Sequence, residues 1–349
     1  GLLGASIGHA LMALEVDVVL ADASPAQLRL AVDYGAGRVA RADDAPRLVV
    51  VAVPPDVTAD VIEAELASHP HAVVTDVTSV KLEPLRELQR RGVDLRRYIG
   101  SHPLAGRERG GAISARSDIF VGRPWVVCRD GDTSREDLGI VEGLALDLGA
   151  TPVEMTPEEH DVSVALVSHV PQLVASLLAS RLRDAPEDAL RLAGQGVRDT
   201  TRIAASAPEL WVQILGANSE RVVSVLDDLA GELATVADAL RNPDAPGTRR
   251  VVAEAIRRGN EGVERLRGKH GQSRRFEQLI VMIDDTSGQL GRLFGDLGEL
   301  DVNVEDLRLE HSPGAQFGLA EISVVPQALM PAIHGLEERG WRIASTSDD

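Results

Sequence analysis

The chain has 349 residues and a formal net charge of −18 at pH 7, with 54 acidic and 36 basic side chains. The length predicts two or three domains, each with its own core. The acidic balance argues against nucleic acid as a partner, because phosphate binding requires a basic surface. The single cysteine, Cys128, excludes an internal disulfide and a cysteine-cluster metal site. No apolar run approaches the roughly 20 residues that span a bilayer, so we expect a cytoplasmic protein without membrane contact.

The first residues, GLLGASIG, fit the end of the dinucleotide fingerprint G-x-G-x-x-G. Gly1 would let the backbone approach a pyrophosphate, and Gly4 would allow close packing of the helix over about 4–14. A strand over 16–20 then leads to Asp22, whose carboxylate would bind ribose hydroxyls and repel a 2′-phosphate. The pattern predicts NAD rather than NADP, although an ordinary strand-to-helix glycine turn is the alternative. The central strand that should precede Gly1 is missing, so we expect the natural chain to be longer.

Continuous apolar runs then predict the buried strands of a doubly wound, mainly parallel sheet. These runs cover residues 47–53, 72–74, 98–101 and 125–128. Ligands of such sheets bind beyond the carboxyl ends of the strands. Pro54, Ser79 and His102 fall at those ends, which predicts that they lie together near the cofactor.

Lysine is rare in this chain, since only Lys81 and Lys269 occur among the 36 basic residues. Lys81 directly follows Ser79-Val80, where a compact ammonium group would have a specific use. An ordinary solvated lysine at the start of a helix is an equally good interpretation.

From residue 154 to 270 the pattern becomes helical. The segment 158–182 is amphipathic and is interrupted at the sequence SHVPQ, and 208–240 carries one long apolar stripe. Such stripes are often buried across a dimer interface, so a homodimer is predicted. The acidic run at 158–161 is dense, but one helical turn cannot point all four side chains inward. We therefore predict no metal site.

The last segment, 274–349, changes character again. Its pattern predicts the order strand, helix, strand, strand, helix, strand, which is the ferredoxin-like split unit. The predicted strands cover 276–283, 302–310, 317–325 and 341–344, and the predicted helices cover 288–300 and 328–339. The chain is thus divided into a nucleotide-binding domain (1–153), a helical domain (154–270) and this third domain.

Five tracts, in order, resemble the prephenate/arogenate dehydrogenase family over about residues 1 to 240. They are GLLGASIG, TDVTSVK, SHPLAG, HDVSVALVSHVPQ and RDTTRIAASAPELW. The resemblance implies a Rossmann-like NAD-binding domain joined to an all-α dimerisation domain. It also implies NAD-dependent oxidative decarboxylation of prephenate to 4-hydroxyphenylpyruvate in tyrosine biosynthesis. Arogenate is the alternative substrate, and no residue of the sequence decides between the two.

The third domain resembles the amino-acid-binding ACT domain. The tract DTSGQL followed by VNV carries this resemblance. Ser287 stands where the family commonly has proline, which weakens the expectation of effector binding more than the expectation of the fold. The effector implied is tyrosine, the product of the pathway.

The chemistry of the reaction assigns roles to His102 and Ser79. Loss of a hydride leaves positive character on the carbinol carbon unless the hydroxyl gives up a proton, and a neutral imidazole accepts protons near pH 7. His102 is therefore the expected base. Ser79 is expected to hydrogen-bond both His102 and the substrate hydroxyl, or alternatively to cap the following helix.

The remaining substrate contacts follow from the resemblance. Arg202 matches the arginine that grips the ring carboxylate, and a planar guanidinium suits that contact; its alternative is an ion pair with Asp199. His169 matches a residue that faces the substrate, and Trp211 an aromatic residue near the pocket, although both could be core residues. Glu108 matches an acidic residue of the substrate loop, but Arg107 replaces the threonine that often precedes it.

Two other functions were weighed. A β-hydroxyacid or 6-phosphogluconate-type dehydrogenase uses a lysine of the helical domain as base, and there is no lysine between Lys81 and Lys269. A non-catalytic sensor of NAD and an amino acid would need neither a proton acceptor nor a carboxylate clamp, and His102 and Arg202 offer both. The dehydrogenase interpretation is therefore preferred.

Overall fold

The structure is a computed structural model that describes residues 1–106, 111–129, 133–266, 276–311 and 317–346. The chain divides into two compact units. The first contains Gly1–Leu190 and Thr200–Ala230, and the second contains Arg191–Asp199 and Gly231–Asp349.

The nucleotide-binding part alternates strands and helices along the chain. Its strands are β1 Val19–Leu20, β2 Arg38–Val39, β3 Leu48–Val51, β4 Val73–Asp76, β5 Tyr98–Pro103, β6 Pro124–Cys128 and β7 Thr151–Met155. Its helices are α1 Leu2–Ala13, α2 Pro25–Asp33, α3 Pro55–Ser68, α4 Leu82–Arg90 and α5 Arg135–Asp147. β1 and β2 form a parallel pair, and the other five strands form a sheet in the order β3-β4-β5-β6-β7. Only β5 and β6 are antiparallel neighbours in that sheet.

The alternation places the chemistry at one edge of the sheet. Because β3, β4 and β5 are parallel, their carboxyl ends point the same way. Pro54, Ser79 and His102 follow or occupy these ends, as the sequence predicts. The core beneath them is aliphatic around Trp125 and Phe120, both fully buried.

Two glycines of helix α1 are needed for close packing. A Cβ atom on Gly4 would lie 3.1 Å from the Cβ of Ala52, just beyond β3. A Cβ atom on Gly8 would lie 2.2 Å from the carbonyl oxygen of Ala36, a distance at which the backbone must move. The glycine spacing of the first eight residues therefore sets how closely α1 approaches its neighbours.

We predict that Gly8→Ala lowers the free energy of unfolding by about 2–3 kcal/mol, because the added methyl group overlaps a backbone oxygen. Urea unfolding followed by circular dichroism measures the change. Gly139→Ala in α5 is the matched control, since nothing lies within 4 Å of its new Cβ; alanine is the better helix former there by about 1 kcal/mol. Equal midpoints for the two variants would contradict the packing argument.

The middle of the chain is helical, as predicted. Its helices are α6 Pro157–Val164, α7 Val170–Leu182, α8 Glu187–Arg191, α9 Gln195–Thr201, α10 Pro208–Ala217, α11 Ser219–Arg241 and α12 Thr248–Glu264. A π-helical turn, Ala165–His169, joins α6 to α7 and produces the interruption expected at SHVPQ. The single helix expected over 208–240 is wrong, because the chain breaks at Asn218. The side chain of Asn218 is buried there and donates hydrogen bonds to other elements.

One further expectation fails in this region. The helical segment Pro157–Leu182 is long and apolar enough, by length and composition, to cross a membrane. It nevertheless carries the buried polar residues His160, Asp161 and His169, which make hydrogen bonds inside the first unit. One side of the segment is thus packed within the first unit, while apolar side chains such as Leu166 and Leu177 are exposed in the single chain.

The C-terminal part is a four-stranded antiparallel sheet with two helices. Its elements are β8 Glu277–Asp284, α13 Gln289–Glu299, β9 Asp306–His311, β10 Phe317–Val324, α14 Pro326–Glu338 and β11 Arg342–Thr346. The strand order is β11-β8-β10-β9, with the predicted succession of strands and helices. The second strand begins later than predicted. Asp301 adopts a left-handed conformation (φ 56°) and Val302 is buried in the core, so regular pairing with β10 starts only at Asp306.

Candidate active site

His102 is the next-to-last residue of strand β5 and is hydrogen-bonded to a second histidine. Its Nδ1 lies 2.8 Å from Nε2 of His160 in helix α6, and the two rings meet edge to face. Nδ1 of His160 lies 2.7 Å from Oδ1 of Asp161. All three side chains are buried, with 8% exposure for His102, 0% for His160 and 1% for Asp161. The three groups form one continuous hydrogen-bonded chain.

Asp161 also caps helix α4. Its two carboxylate oxygens accept hydrogen bonds from the backbone N–H groups of Lys81 (2.9 Å) and Leu82 (3.0 Å). Burial alone would raise the pKa of the carboxyl group, but the hydrogen bonds from His160 and from the two backbone N–H groups outweigh burial, and the pKa is lowered. Asp161 is therefore ionised at neutral pH and fixes α6 against the start of α4.

The imidazole of His102 is neutral at pH 7. Burial disfavours its charged form and holds its pKa well below 6.5, and the nearby cationic or ionisable groups His160, Lys81 and His169 act in the same direction. A neutral imidazole is the form that can accept a proton.

Ser79 lies on the loop between β4 and α4 and is half-buried. The described part of the chain contains no hydrogen bond between Ser79 and His102; the bonded nitrogen of His102, Nδ1, contacts His160. Ser79 does not cap α4 either, since Asp161 supplies the cap. The hydroxyl of Ser79 makes no hydrogen bond within the part of the chain that the structure describes, and its contact with His102 and the substrate hydroxyl stays a prediction.

Lys81 forms a buried ion pair with Asp76, the last residue of β4. Its ammonium group also donates to the backbone oxygen of Ser101 at 2.6 Å, one residue before His102. Asp76 accepts further hydrogen bonds from Thr78 and from the hydroxyl of Tyr98 at 2.7 Å. Burial and the charge of Asp76 raise the pKa of Tyr98 well above 10, so Tyr98 remains a donor. The interpretation of Lys81 as a solvated lysine is wrong, because the side chain is only 1% exposed.

His169 lies in the π-helical turn and is also buried. Its Nδ1 is 3.2 Å from Nδ2 of Asn218, which also donates to the backbone oxygen of Asp161 at 2.7 Å. The ring of Trp211, half-buried in α10, approaches His169 edge-on with centroids 6.1 Å apart. Burial lowers the pKa of His169 to about 4. His169 is therefore neutral, and the donation from Asn218 leaves its Nε2 carrying the proton.

The other predicted substrate residues are less constrained. Arg202 begins a 3₁₀ turn after α9, is exposed, and has no ion-pair partner among the described residues of its unit. The carboxylate of Asp199 instead accepts a hydrogen bond from Gln195 at 2.8 Å. Glu108 lies outside the described residues.

The predicted cofactor residues lie at loop and helix ends. Gly1 precedes the first turn of α1, and a Cβ atom on Gly4 would lie in tight contact, 3.1 Å, with the Cβ of Ala52. Asp22 is exposed after β1 and accepts a hydrogen bond from the backbone N–H of Ser24 at 2.8 Å. Pro54 precedes the first turn of α3. A helix N-terminus preceded by glycine and an exposed carboxylate after the next strand are features that dinucleotide sites use.

Three residues of this site are not predicted from the sequence: His160, Asp161 and Asn218. The signal for the first two was present, because Pro157, His160, Asp161, Val164 and Ala165 recur at helical spacing and all are buried. Two polar residues on the inner stripe of an amphipathic helix indicate a buried polar contact. Asn218 gave no such signal, because the apolar helical spacing of residues 208–240 continues on both sides of it.

The fold and the site together define the class of the protein. A nucleotide-binding sheet, a buried neutral histidine at its carboxyl edge and an adjoining helical domain are the parts of an NAD-dependent dehydrogenase. Residues 8–154 match the family model for the prephenate dehydrogenase nucleotide-binding domain, and residues 156–254 match the model for the prephenate dehydrogenase dimerization domain. The chain belongs to the prephenate dehydrogenase family, as the sequence motifs predict.

Individual relatives agree with this assignment. The protein NovF of Streptomyces niveus, described as a probable prephenate dehydrogenase, is 34% identical over 98% of this chain and 96% of its own length. The prephenate dehydrogenase of Bacillus subtilis is 26% identical over 79% of this chain and 75% of its own length. A solved structure from A. aeolicus, a prephenate dehydrogenase with hydroxyphenyl propionate and NAD+, is 25% identical with a TM-score of 0.65. It covers 74% of this chain and 94% of its own. The nucleotide-binding domain and this NAD+ complex of a relative identify NAD as the cofactor.

Proposed function

We propose that the chain catalyses the NAD-dependent oxidative decarboxylation of prephenate to 4-hydroxyphenylpyruvate, a reaction of tyrosine biosynthesis. The observation that carries the proposal is the buried, neutral His102 at the carboxyl edge of the sheet, in a chain of the prephenate dehydrogenase family. Arogenate is the second candidate, because a solved arogenate dehydrogenase from Synechocystis is also 25% identical. It matches with a TM-score of 0.60 over 75% of this chain and 96% of its own.

His102 is the proposed base. The substrate O–H bond breaks as a bond from the proton to Nε2 of His102 forms, and the electron pair on oxygen becomes the second bond of a ring carbonyl. The hydride of the same carbon would pass to NAD, which the N-terminus of α1 and Asp22 would hold. Loss of carbon dioxide then leaves the carbon–carbon bonding pair in the ring, which becomes aromatic as a phenolate. The imidazolium of His102 returns the proton to that phenolate, so the reaction releases no net proton.

The other proposed residues bind and orient. Arg202 supplies a planar, permanently charged group for the ring carboxylate, and its exposed guanidinium has no competing ion pair among the described residues of its unit. His169 offers Nε2–H as a hydrogen-bond donor, with Trp211 against its ring. Ser79 offers a free hydroxyl on the loop after β4 and is proposed to contact the substrate hydroxyl. Glu108 is proposed as a substrate residue from the resemblance alone.

Four residues are proposed to hold the cofactor. The N-terminus of α1, at Gly1 and Gly4, supplies backbone N–H groups for the pyrophosphate. Asp22 accepts the ribose hydroxyls and disfavours a 2′-phosphate, and Pro54 lines the site at the start of α3. Together these residues would hold the dinucleotide, and the charge of Asp22 alone would disfavour NADP.

The protein is proposed to work as a homodimer in the cytoplasm, where its cofactor and substrate occur. Residues 156–254 match a dimerisation domain. Within the first unit, apolar side chains of this region are more than half exposed in the single chain, namely Leu166, Val167, Leu177 and Val212. A second copy that covers these side chains would remove them from water.

The third part of the chain is proposed to be a regulatory domain of the ACT type. A cavity of about 260 Å³ is lined by residues 283–290 together with Leu309 and Gly318. It contains the tract DTSGQL that carries the resemblance. Tyrosine is the proposed effector. The domain bounds 1–153, 154–270 and 274–349 are retained as proposals, supported by the change from helical to antiparallel sheet structure at β8.

The experiment that tests the function offers prephenate and arogenate separately to the full chain with NAD and follows the absorbance of NADH. We expect NADH and 4-hydroxyphenylpyruvate from prephenate. Turnover of arogenate alone would reassign the substrate within the family. Absence of NADH with both substrates, from a folded protein that binds NAD, would reject the proposal.

A further inference from the structure

The hydrogen bonds that link His102, His160 and Asp161 determine which ring nitrogens of the two histidines carry protons. Asp161 accepts from two backbone N–H groups and from His160, so every contact to its carboxylate is a donor contact. A carboxylate that is fully engaged as an acceptor requires Nδ1 of His160 to carry a hydrogen. The backbone N–H groups at the start of helix α4 thus fix the position of the first proton, which lies on Nδ1 of His160.

The second proton follows from the first. His160 is completely buried, and burial lowers its pKa despite the hydrogen bond to Asp161, so its ring carries one proton only. With that proton on Nδ1, Nε2 of His160 has a lone pair and acts as an acceptor. Nδ1 of His102, which lies 2.8 Å away, must therefore be the donor. Nε2 of His102 then has no hydrogen.

We propose that His160 and Asp161 are positioning residues that fix His102 as its Nδ1–H tautomer, so that Nε2 is the free proton acceptor. The tautomer follows from the hydrogen bonds alone, whereas the role of Nε2 as the catalytic base rests on the proposed function. Among the described residues, no hydrogen bond occupies Nε2 of His102. In the opposite tautomer Nε2 would carry a hydrogen and could not accept the proton of a substrate hydroxyl. Asp161, which is two hydrogen bonds away from His102, therefore determines which ring nitrogen of His102 can accept a proton.

The charged groups around His102 support this arrangement. Burial and the positive charge of Lys81 disfavour a second proton on His102, and so would a positive charge on His160 or His169. The Lys81 charge is itself compensated by Asp76. The tautomer, and not the net charge, is thus what Asp161 controls.

The direct test needs no substrate. Nitrogen-15 NMR of the full chain, labelled at histidine and saturated with NAD, distinguishes a protonated from an unprotonated ring nitrogen. The His102 signals are assigned by their loss in His102→Asn. We expect a protonated Nδ1 and an unprotonated Nε2 at pH 7. A protonated Nε2 on His102 in the parent protein would overturn the inference.

Two variants of His160 distinguish its role as a hydrogen-bond acceptor for His102 from a role in packing alone. The amide of asparagine takes the place of Nδ1, keeps a donor for Asp161 and does not reach His102. The amide of glutamine reaches the place of Nε2 and can accept from Nδ1 of His102. We expect His160→Asn to lower kcat about 10²-fold with little change in KM, and His160→Gln to remain within about tenfold of the parent. An equal kcat for the two variants would also overturn the inference.

The two proposals fail separately. An Nδ1–H tautomer in a protein that oxidises neither prephenate nor arogenate would reject the function and leave the tautomer assignment standing. NADH formation by a protein whose His102 is the Nε2–H tautomer would do the reverse.

Discussion

Replacing His102 by asparagine is expected to lower kcat for prephenate oxidation by about 10³-fold, because general acid–base catalysis by one side chain typically contributes 10²–10⁴-fold. Asparagine is polar and similar in size near the backbone, so the site keeps its shape, but an amide does not accept a proton at neutral pH. KM should change little, since the proposed carboxylate contact is Arg202. Steady-state kinetics with prephenate at saturating NAD measures both constants.

The pH profile of the parent enzyme gives an independent check on His102. Its pKa is held below 6.5, so the protonated, inactive form accumulates only at acidic pH. We therefore expect kcat/KM to be constant around pH 7 and through pH 6.5, and to fall only when the pH drops through the lowered pKa of His102, well below 6.5. His71→Asn, at an exposed histidine, is the control and should leave the profile unchanged. Parent-like kcat in His102→Asn would show that His102 is not the base.

Replacing Lys81 by methionine is expected to lower the free energy of unfolding by about 3–5 kcal/mol. The change leaves the carboxylate of Asp76, which is 0% exposed, buried without its counter-charge. It also removes the donor to the backbone oxygen of Ser101, next to His102. Urea or thermal unfolding of the full chain measures the loss.

Two comparisons isolate the cause of that loss. Arg96→Met removes one partner of the exposed ion pair with Asp94, so we expect a change of less than about 1 kcal/mol. The double variant Lys81→Met with Asp76→Asn removes the uncompensated charge and should recover part of the stability. A double variant less stable than Lys81→Met would show that side-chain packing, not the unpaired carboxylate, accounts for the effect.

Much of the fold was predictable from local patterns. The aliphatic runs that became β3, β4, β5 and β6 are continuous because both faces of the sheet are covered, and that is a property a single run of sequence displays. The predicted ends of these strands correctly placed His102 at the edge of the sheet. The helical interruption at SHVPQ was also local, and it appears as the π-helical turn before Val170-Pro171.

The errors share one origin, which is contact between segments far apart in the chain. Helix 208–240 was predicted as one piece because its apolar spacing continues, whereas Asn218 breaks it to bond the backbone of Asp161, 57 residues earlier. Ser79 was expected to cap α4 because it lies nearby in sequence, but Asp161 performs this function from about 80 residues away.

The sequence by itself determined the family, the nucleotide-binding and helical parts, and the histidine at the edge of the sheet. These follow from glycine spacing, hydrophobic period and short motifs, all of which act within a few residues of the chain. Only the tertiary structure decided that His102 is paired with His160 and that Lys81 is buried against Asp76. A hydrogen bond between side chains 58 residues apart leaves no periodic trace in the sequence. Its strength depends instead on burial, which exists only once the segments are packed together.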